Sequence, residues 1–168
     1  MYLVGVNYNI LGWDPRTCDL DASTWQPLPQ KDAHIPWRYL PLKLKLLLSR
    51  GKPNLTVYDY AEVLDRLLRK SAPEFVDYPT VLPNWDNTPR SGMNGLVLHG
   101  STPDLFRILL RRALAMVESR DPDHRIIFVK AWNEWAEGNH LEPDQRFGRG
   151  YLEAIQEELT ESRFHVRH

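Results

Sequence analysis

From Ile126 to Trp132 the chain runs IIFVKAW, nearly continuous in apolar and β-branched residues and of strand length. A strand with so little polar alternation needs cover on both faces, which a parallel sheet flanked by helices provides. It follows Pro122 and ends in the polar, aromatic loop NEWAEGNHLEP. A helix with an explicit start precedes it. Thr102 can cap the free backbone N–H groups, Pro103 fits the first turn, and Asp104 favours the positive end. Phe106, Leu109, Leu110, Ala113 and Val117 form its apolar stripe, with Arg107, Arg111 and Arg112 expected in solvent. A last helix is expected over roughly Tyr151 to Leu159, where Leu152, Ile155, Gln156 and Leu159 recur at helical steps after the FGRG turn.

The same grammar stands upstream. Val57, Tyr60, Ala61, Leu64, Leu67 and Leu68 predict a helix over residues 56–69 with Thr56 as N-cap. Phe75, Val76, Tyr78, Val81 and Leu82, punctuated by Pro73 and Pro79, predict a strand leading into PNWDNTPRSG. Helix, strand, polar loop, helix, strand, polar loop, helix is the order of βα units around a parallel sheet with right-handed crossovers. In both units the polar and aromatic residues gather beyond the strand's C-terminal end, where such sheets place their chemistry. The first fifty residues differ, because Pro15, Pro27, Pro29, Pro36 and Pro41 break any long helix. Tyr2 to Tyr8 reads as a short strand, and the rest, with Trp13, Trp25 and Trp37, as a long ordered loop. The expected division is an irregular N-terminal segment over 1–55, βα units over 56–160 and a tail over 161–168.

A chain of 168 residues with 42% hydrophobic and 26% charged residues can bury a core. It falls well short of the roughly 250 residues of a complete (β/α)8 barrel. Lys and Arg number 21 against 22 Asp and Glu, so no field of either sign gathers nucleic acid. Cys18 stands alone, which forbids an internal disulfide and fits a reducing, cytoplasmic setting. No signal-peptide pattern opens the chain and no apolar run reaches membrane-spanning length. Leu46 to Leu48 is the longest apolar patch, interrupted upstream by Lys43 and Lys45, and reads as a partly buried connection or short helix.

Glu134 and Glu137 lie three apart just past the buried strand, with Trp132, Asn133, Trp135 and Gly138 around them. Two carboxylates in one low-dielectric pocket repel, so one holds a proton while the other remains a base. Glycoside chemistry uses such a pair, and tryptophan faces stack on sugar C–H surfaces. The same spacing also suits two glutamates that accept backbone donors in a turn while both tryptophans fill the core. In PNWDNTPRSG, Trp85 can be a sugar platform, Asn84, Asp86 and Asn87 can bind hydroxyls, and Arg90 can face a phosphate, a carboxylate or a nearby Glu. An Asx-turn with a surface Arg–Asp pair is the other reading. His99, His140 and Glu142 complete the candidate binding set. His99, His140, Glu142 and Asp144 are legitimate metal ligands, but no HExxH spacing unites them and no metal is expected. Ser91, Ser101 and Cys18 lack a nucleophile context, and Gly148 and Gly150 make no dinucleotide fingerprint, so no cofactor is expected.

WNEWAEGNHLEPD, Trp132 to Asp144, closely resembles the glycosyltransferase WbsX family, part of the glycoside hydrolase family 99-like group. PNWDNTPR, HGSTPDLF and GRGYLEAI are similar to that family's other recurring segments, in the same order, over roughly Tyr58 to Leu159. The resemblance implies an α/β fold, a partial (β/α)8 TIM-barrel-like parallel sheet comprising the last few βα units. It implies a role in bacterial polysaccharide or O-antigen biosynthesis, with a glycan or glycosyl donor and acceptor as partners. It also implies roles for the acids, as in the related family 99 endo-α-mannosidases. Glu134 acts as base on the sugar 2-hydroxyl, whose oxygen closes on the anomeric carbon to give a 1,2-anhydro sugar. Glu137 protonates the departing oxygen and then activates the incoming water or hydroxyl, with net retention. The short length leaves room for a second chain that completes the barrel, or for a carbohydrate-binding or structural remnant without turnover.

Overall fold

The computed structural model describes residues 1–8, 10, 12–25, 28–29, 35–36, 40–41, 44, 55–68 and 73–165, with 162–165 as backbone alone. Trp37 and the Leu46–Leu48 patch lie outside the described residues. In chain order the strands and helices are β1 (Val4–Asn7), β2 (Ala22–Trp25), β3 (Thr56–Asp59), α1 (Tyr60–Leu67), β4 (Asp77–Tyr78), β5 (Thr80–Val81), β6 (Trp85–Asp86), the single turn α2 (Thr88–Ser91), β7 (Leu96–His99), α3 (Pro103–Val117), β8 (Phe128–Val129), β9 (Asn133–Glu134), β10 (Asn139–His140) and α4 (Gly150–His165).

β4 and β5 are successive halves of one extended segment separated by Pro79, whose missing N–H interrupts the ladder. The first half pairs with β2 and the second with β8, while β2 pairs with β1, all in parallel. Across this surface the order is therefore β1, β2, β4/β5, β8. That is the sequential arrangement of consecutive βα units. Among the described residues no ladder joins β8 back to β1, so the fold is α/β with a partial, unclosed barrel-like arc. A second, mixed sheet has β7 between parallel β3 and antiparallel β6.

Several expectations need correction. Residues 56–59 are strand rather than helix, because Thr56, Val57 and Tyr58 pair with Leu96, Val97 and Leu98 of β7. The helix begins at Tyr60, so Thr56 is not its N-cap; Asp59 holds that position without a side-chain cap bond. β2 lies in the stretch expected to be loop, and β7 lies where no strand was expected. Both are four-residue segments bordered by turn residues, short enough for pairing partners to decide their conformation. β8 spans only Phe128–Val129, and Ile126 and Phe128 are exposed rather than covered. Having β5 on one side and no described strand on the other, it is an edge.

α3 follows the expectation in detail. Thr102 Oγ1 accepts from the Leu105 N–H at 3.3 Å, and the buried side chains are Phe106, Leu109, Leu110, Ala113 and Val117. Its arginines do not simply face solvent. Arg107 pairs with Glu157, Arg111 with Glu158 at 2.6 Å, and Arg112 with Asp65 at 2.6 Å, which ties α3 to α4 and α1. α4 is longer than expected, and its inner face is rotated: Tyr151, Ala154 and Glu158 are buried while Leu159 is exposed. Glu158 can lie inside because Arg111 meets both of its carboxylate oxygens. Phe106 and Tyr151 meet edge to face at 5.7 Å, and the Tyr60 hydroxyl donates to the Leu82 carbonyl at 2.5 Å. These contacts join α1, α3 and α4 to the strand end from which the PNWDN loop departs.

Candidate functional site

After β8 the chain doubles back as the β9–β10 hairpin, with Asn133 opposite His140 and Glu134 opposite Asn139. A 3-10 turn over Trp135–Glu137 closes it, and Gly138 ends that turn at φ +52°. A Cβ on residue 138 would sit 2.7 Å from the Asp86 carbonyl oxygen and 3.0 Å from its nitrogen. Glycine here lets the acidic turn rest directly on the backbone of the other polar loop. Gly138→Ala is therefore expected to cost on the order of 1–3 kcal/mol, from left-handed backbone strain together with the clash. Denaturant midpoints measure that loss; an unchanged midpoint would mean that the two loops separate freely.

Asn84 binds the hairpin like a strand partner. Its Oδ1 accepts from the His140 N–H at 2.8 Å, and its amide donates to the His140 carbonyl at 3.2 Å. Arg90 reaches across to pair with Glu137 Oε1, and Lys130 Nζ approaches Oε2 at 3.5 Å. Glu137 is thus a half-buried carboxylate, 14% exposed at the side chain, held between two cations. Glu134 is exposed, and its side chain has no partner among the described residues. The two acids therefore occupy different surroundings on one short turn.

The aromatic residues divide in the same way. Trp85 is only 4% exposed and belongs to the core, with Lys130 Nζ 4.8 Å from its ring centroid. No open face remains there for a stacking sugar. Trp132 and Trp135 are 55% and 48% exposed. Trp135 lies 3.8 Å from the His140 ring in a near-parallel stack and donates from Nε1 to Glu142 at 2.8 Å. The Asn133 amide stands 3.5 Å from the other Glu142 oxygen.

A hollow of about 580 Å³ opens beside this hairpin. Of the predicted residues, Asn84, Asp86, Trp135 and His140 line it, joined by Ser101, Asp144 and Tyr151. Glu134, Glu137, Arg90, Trp132, Asn133 and Glu142 stand outside its lining, as does His99 at the end of β7 opposite Asp59. Asp86 also does local work: its Oδ1 accepts from the Thr88 N–H at 2.9 Å and hydroxyl at 2.6 Å, the Asx-turn reading. Asn87 is structural too, accepting from the Leu96 N–H at 2.7 Å. Among the described residues no three His, Cys, Asp or Glu side chains converge as metal ligands.

Sequence reasoning missed Lys130 and Tyr151 at the site, weighed Ser101 only as a nucleophile and saw Asp144 only as a metal ligand. Lys130 carried a usable signal, since a cation inside an apolar strand needs a counter-charge nearby. Asp144 accepts from His140 Nε2 at 3.1 Å and from the backbone N–H groups of Arg146 and Phe147 at 2.7 and 2.6 Å. Burial alone would raise its pKa, but the Phe147 amide, His140 and the Arg146 amide outweigh it and hold the carboxyl below its ordinary value. A depressed folded pKa adds stability above the unfolded pKa, lost as pH falls through the folded one. Asp144→Asn should therefore destabilise the protein at neutral pH and lose that deficit below roughly pH 4. Unfolding curves across that range test this; a deficit that persists in acid would contradict it.

The family model described as Glycosyltransferase WbsX matches residues 1–155. The chain belongs to the WbsX family. Two similar curated proteins carry the description uncharacterized protein WxcX, one from Xanthomonas campestris pv. campestris strain B100 and one from strain ATCC 33913 of the same pathovar. Each is 41% identical over 106 residues, which is 62% of this chain and 15% of the relative. The chain thus spans only a small part of the curated relatives it matches. No solved structure matches. No described helix is long and apolar enough to cross a membrane.

Proposed function

We propose that this WbsX-family chain contributes the acid pair of a retaining carbohydrate-active enzyme of bacterial polysaccharide or O-antigen biosynthesis. The observation that carries the reading is the clasp between the two polar loops, in which Arg90 and Lys130 hold Glu137 one turn away from the open Glu134. Ordinary retaining carboxylates flank the anomeric carbon from opposite sides. Two acids on one turn suit a different division. Glu134 takes the proton of the sugar 2-hydroxyl, the 2-oxygen bonds to the anomeric carbon, and the bond to the leaving oxygen breaks as Glu137 protonates it. Glu137 then takes the proton of a water or acceptor hydroxyl, whose oxygen bonds to the anomeric carbon as the bond from that carbon to the 2-oxygen breaks and Glu134 returns its proton to the 2-oxygen. Two inversions give net retention.

The ion pairs around Glu137 are made to its carboxylate, the form the second half-reaction uses. The first half requires Glu137 to take up a proton from solvent before the sugar binds, as the Arg90 guanidinium turns away from its Oε1. The test is the anomeric configuration of the product released from activated α-glycosides, followed by proton NMR. Retention supports the reading, and inversion contradicts it. One observation favours a second reading, sugar binding without turnover: among the described residues the parallel arc has unpaired edges at β1 and β8, and an open arc supplies only part of a substrate wall. Sugar binding with no product of either configuration would select it.

A further inference from the structure

Trp135 stands between the two acids of the turn, and its ring is held on two sides. The His140 imidazole covers one face in a near-parallel stack at 3.8 Å, and Glu142 Oε2 accepts from the indole Nε1–H at 2.8 Å. His140 is itself fixed. Asp144 Oδ2 accepts from its Nε2 at 3.1 Å while Asp144 Oδ1 takes the Arg146 and Phe147 amides, and Asn84 bonds both the N–H and the carbonyl of residue 140. Yet the tryptophan is still 48% exposed, and with one face and the N–H engaged that exposure falls on the opposite face and the outer edge. Trp132, at the base of the same hairpin and 55% exposed, has no such side-chain partners among the described residues. A surface side chain left to itself changes rotamer in picoseconds to nanoseconds. A ring fixed before its ligand arrives has little rotamer freedom left to lose on binding.

We infer that His140 and Glu142 are positioning residues: they act through Trp135, holding the indole so that its free face receives a pyranose ring of the glycan beside Glu134. The C–H side of a pyranose is the apolar surface that suits an indole face. The inference rests on the carbohydrate reading and deepens it, since the acids supply the chemistry and the ring between them fixes the plane of the sugar. Such a platform grips ground state and transition state alike. Loosening it therefore acts on KM more than on kcat, whereas removing an acid acts on kcat.

The experiment follows the Trp135 indole N–H of the ¹⁵N-labelled protein by its heteronuclear NOE and titrates methyl α-D-mannopyranoside, methyl α-D-glucopyranoside and methyl α-D-galactopyranoside, with the Gly138 amide as reporter where the indole is absent. At least one glycoside is expected to bind in the millimolar range, as suits a single ring face. His140→Ala and Glu142→Ala should each lower the NOE, weaken binding about two- to tenfold, and raise KM on activated α-glycosides more than they lower kcat. His140→Phe keeps a ring against the indole and Glu142→Gln keeps an acceptor for it, so both should recover most of the loss. The hairpin is expected to survive, because Asn84 holds the backbone of residue 140 and not its side chain. Binding that weakens equally in His140→Ala and His140→Phe, or that is unchanged in Trp135→Ala, overturns the inference while the enzymatic reading stands. An indole as rigid in both alanine variants as in the parent overturns it too. Turnover of activated α-glycosides without binding of any of the three also overturns it, and neither binding nor turnover overturns both.

Discussion

Glu134→Gln is expected to lower turnover by about 10²–10⁴-fold, the range general acid–base groups supply, with no change in fold. Glutamine keeps the size and the exposed position of the side chain and removes only its ability to take a proton from the 2-hydroxyl. Because Glu134 has no side-chain partner among the described residues, its stability effect should stay within about 0.5 kcal/mol. Glu137→Gln should cost a similar factor on substrates with poor leaving groups, and much less when the leaving group departs without a proton. It also removes the ion pairs to Arg90 and Lys130. Arg90 is largely exposed, so that loss is worth at most about 1 kcal/mol. Steady-state kinetics of both variants on matched pairs of good and poor leaving groups separate the roles. Unchanged kinetics in both would remove the acid pair from the mechanism, and equal losses on every leaving group would deny Glu137 the acid role.

The sequence made the joints of the fold legible where one residue type has one physical use. Thr102, Pro103 and the stripe from Phe106 to Val117 specify α3 because capping, a fixed φ and a 3.6-residue period agree there. They fail to specify β3, because Val57, Tyr60, Ala61 and Leu64 fit a helix as well as they fit a short strand followed by one. Only the pairing with Leu96–His99 decides between them, and pairing is not local. The inner face of α4 was misread for a related reason. Glu158 is buried because Arg111 on α3 neutralises it, a partner 47 positions away that no window on the helix contains. At the site, the two polar loops were legible as a pair, since each follows a strand end. Their division was not: Trp85 and Trp135 look alike in sequence, and burial alone separates them.

That separation carries the second large effect. Trp85→Ala is expected to cost about 3–5 kcal/mol, the range for truncating a buried aromatic, and to lower the melting temperature by on the order of 10 °C. Trp85 pairs with Leu98 through β6 and β7, packs within the main core and lies under the Lys130 ammonium, so its removal leaves a cavity between the mixed sheet and the strand that carries the acid loop. Glu137 should feel it, because Lys130 loses the ring that holds it near the carboxylate. Trp135→Ala makes the contrasting case. Its ring is 48% exposed and contacts His140 and Glu142 rather than the core, so stability should fall by less than about 1.5 kcal/mol while glycoside binding is lost. Chemical denaturation and glycoside titration of the two variants side by side decide the matter. A stable Trp85→Ala protein with impaired sugar binding would return Trp85 to the role of platform, and would mean that the core closes over its absence while the site does not.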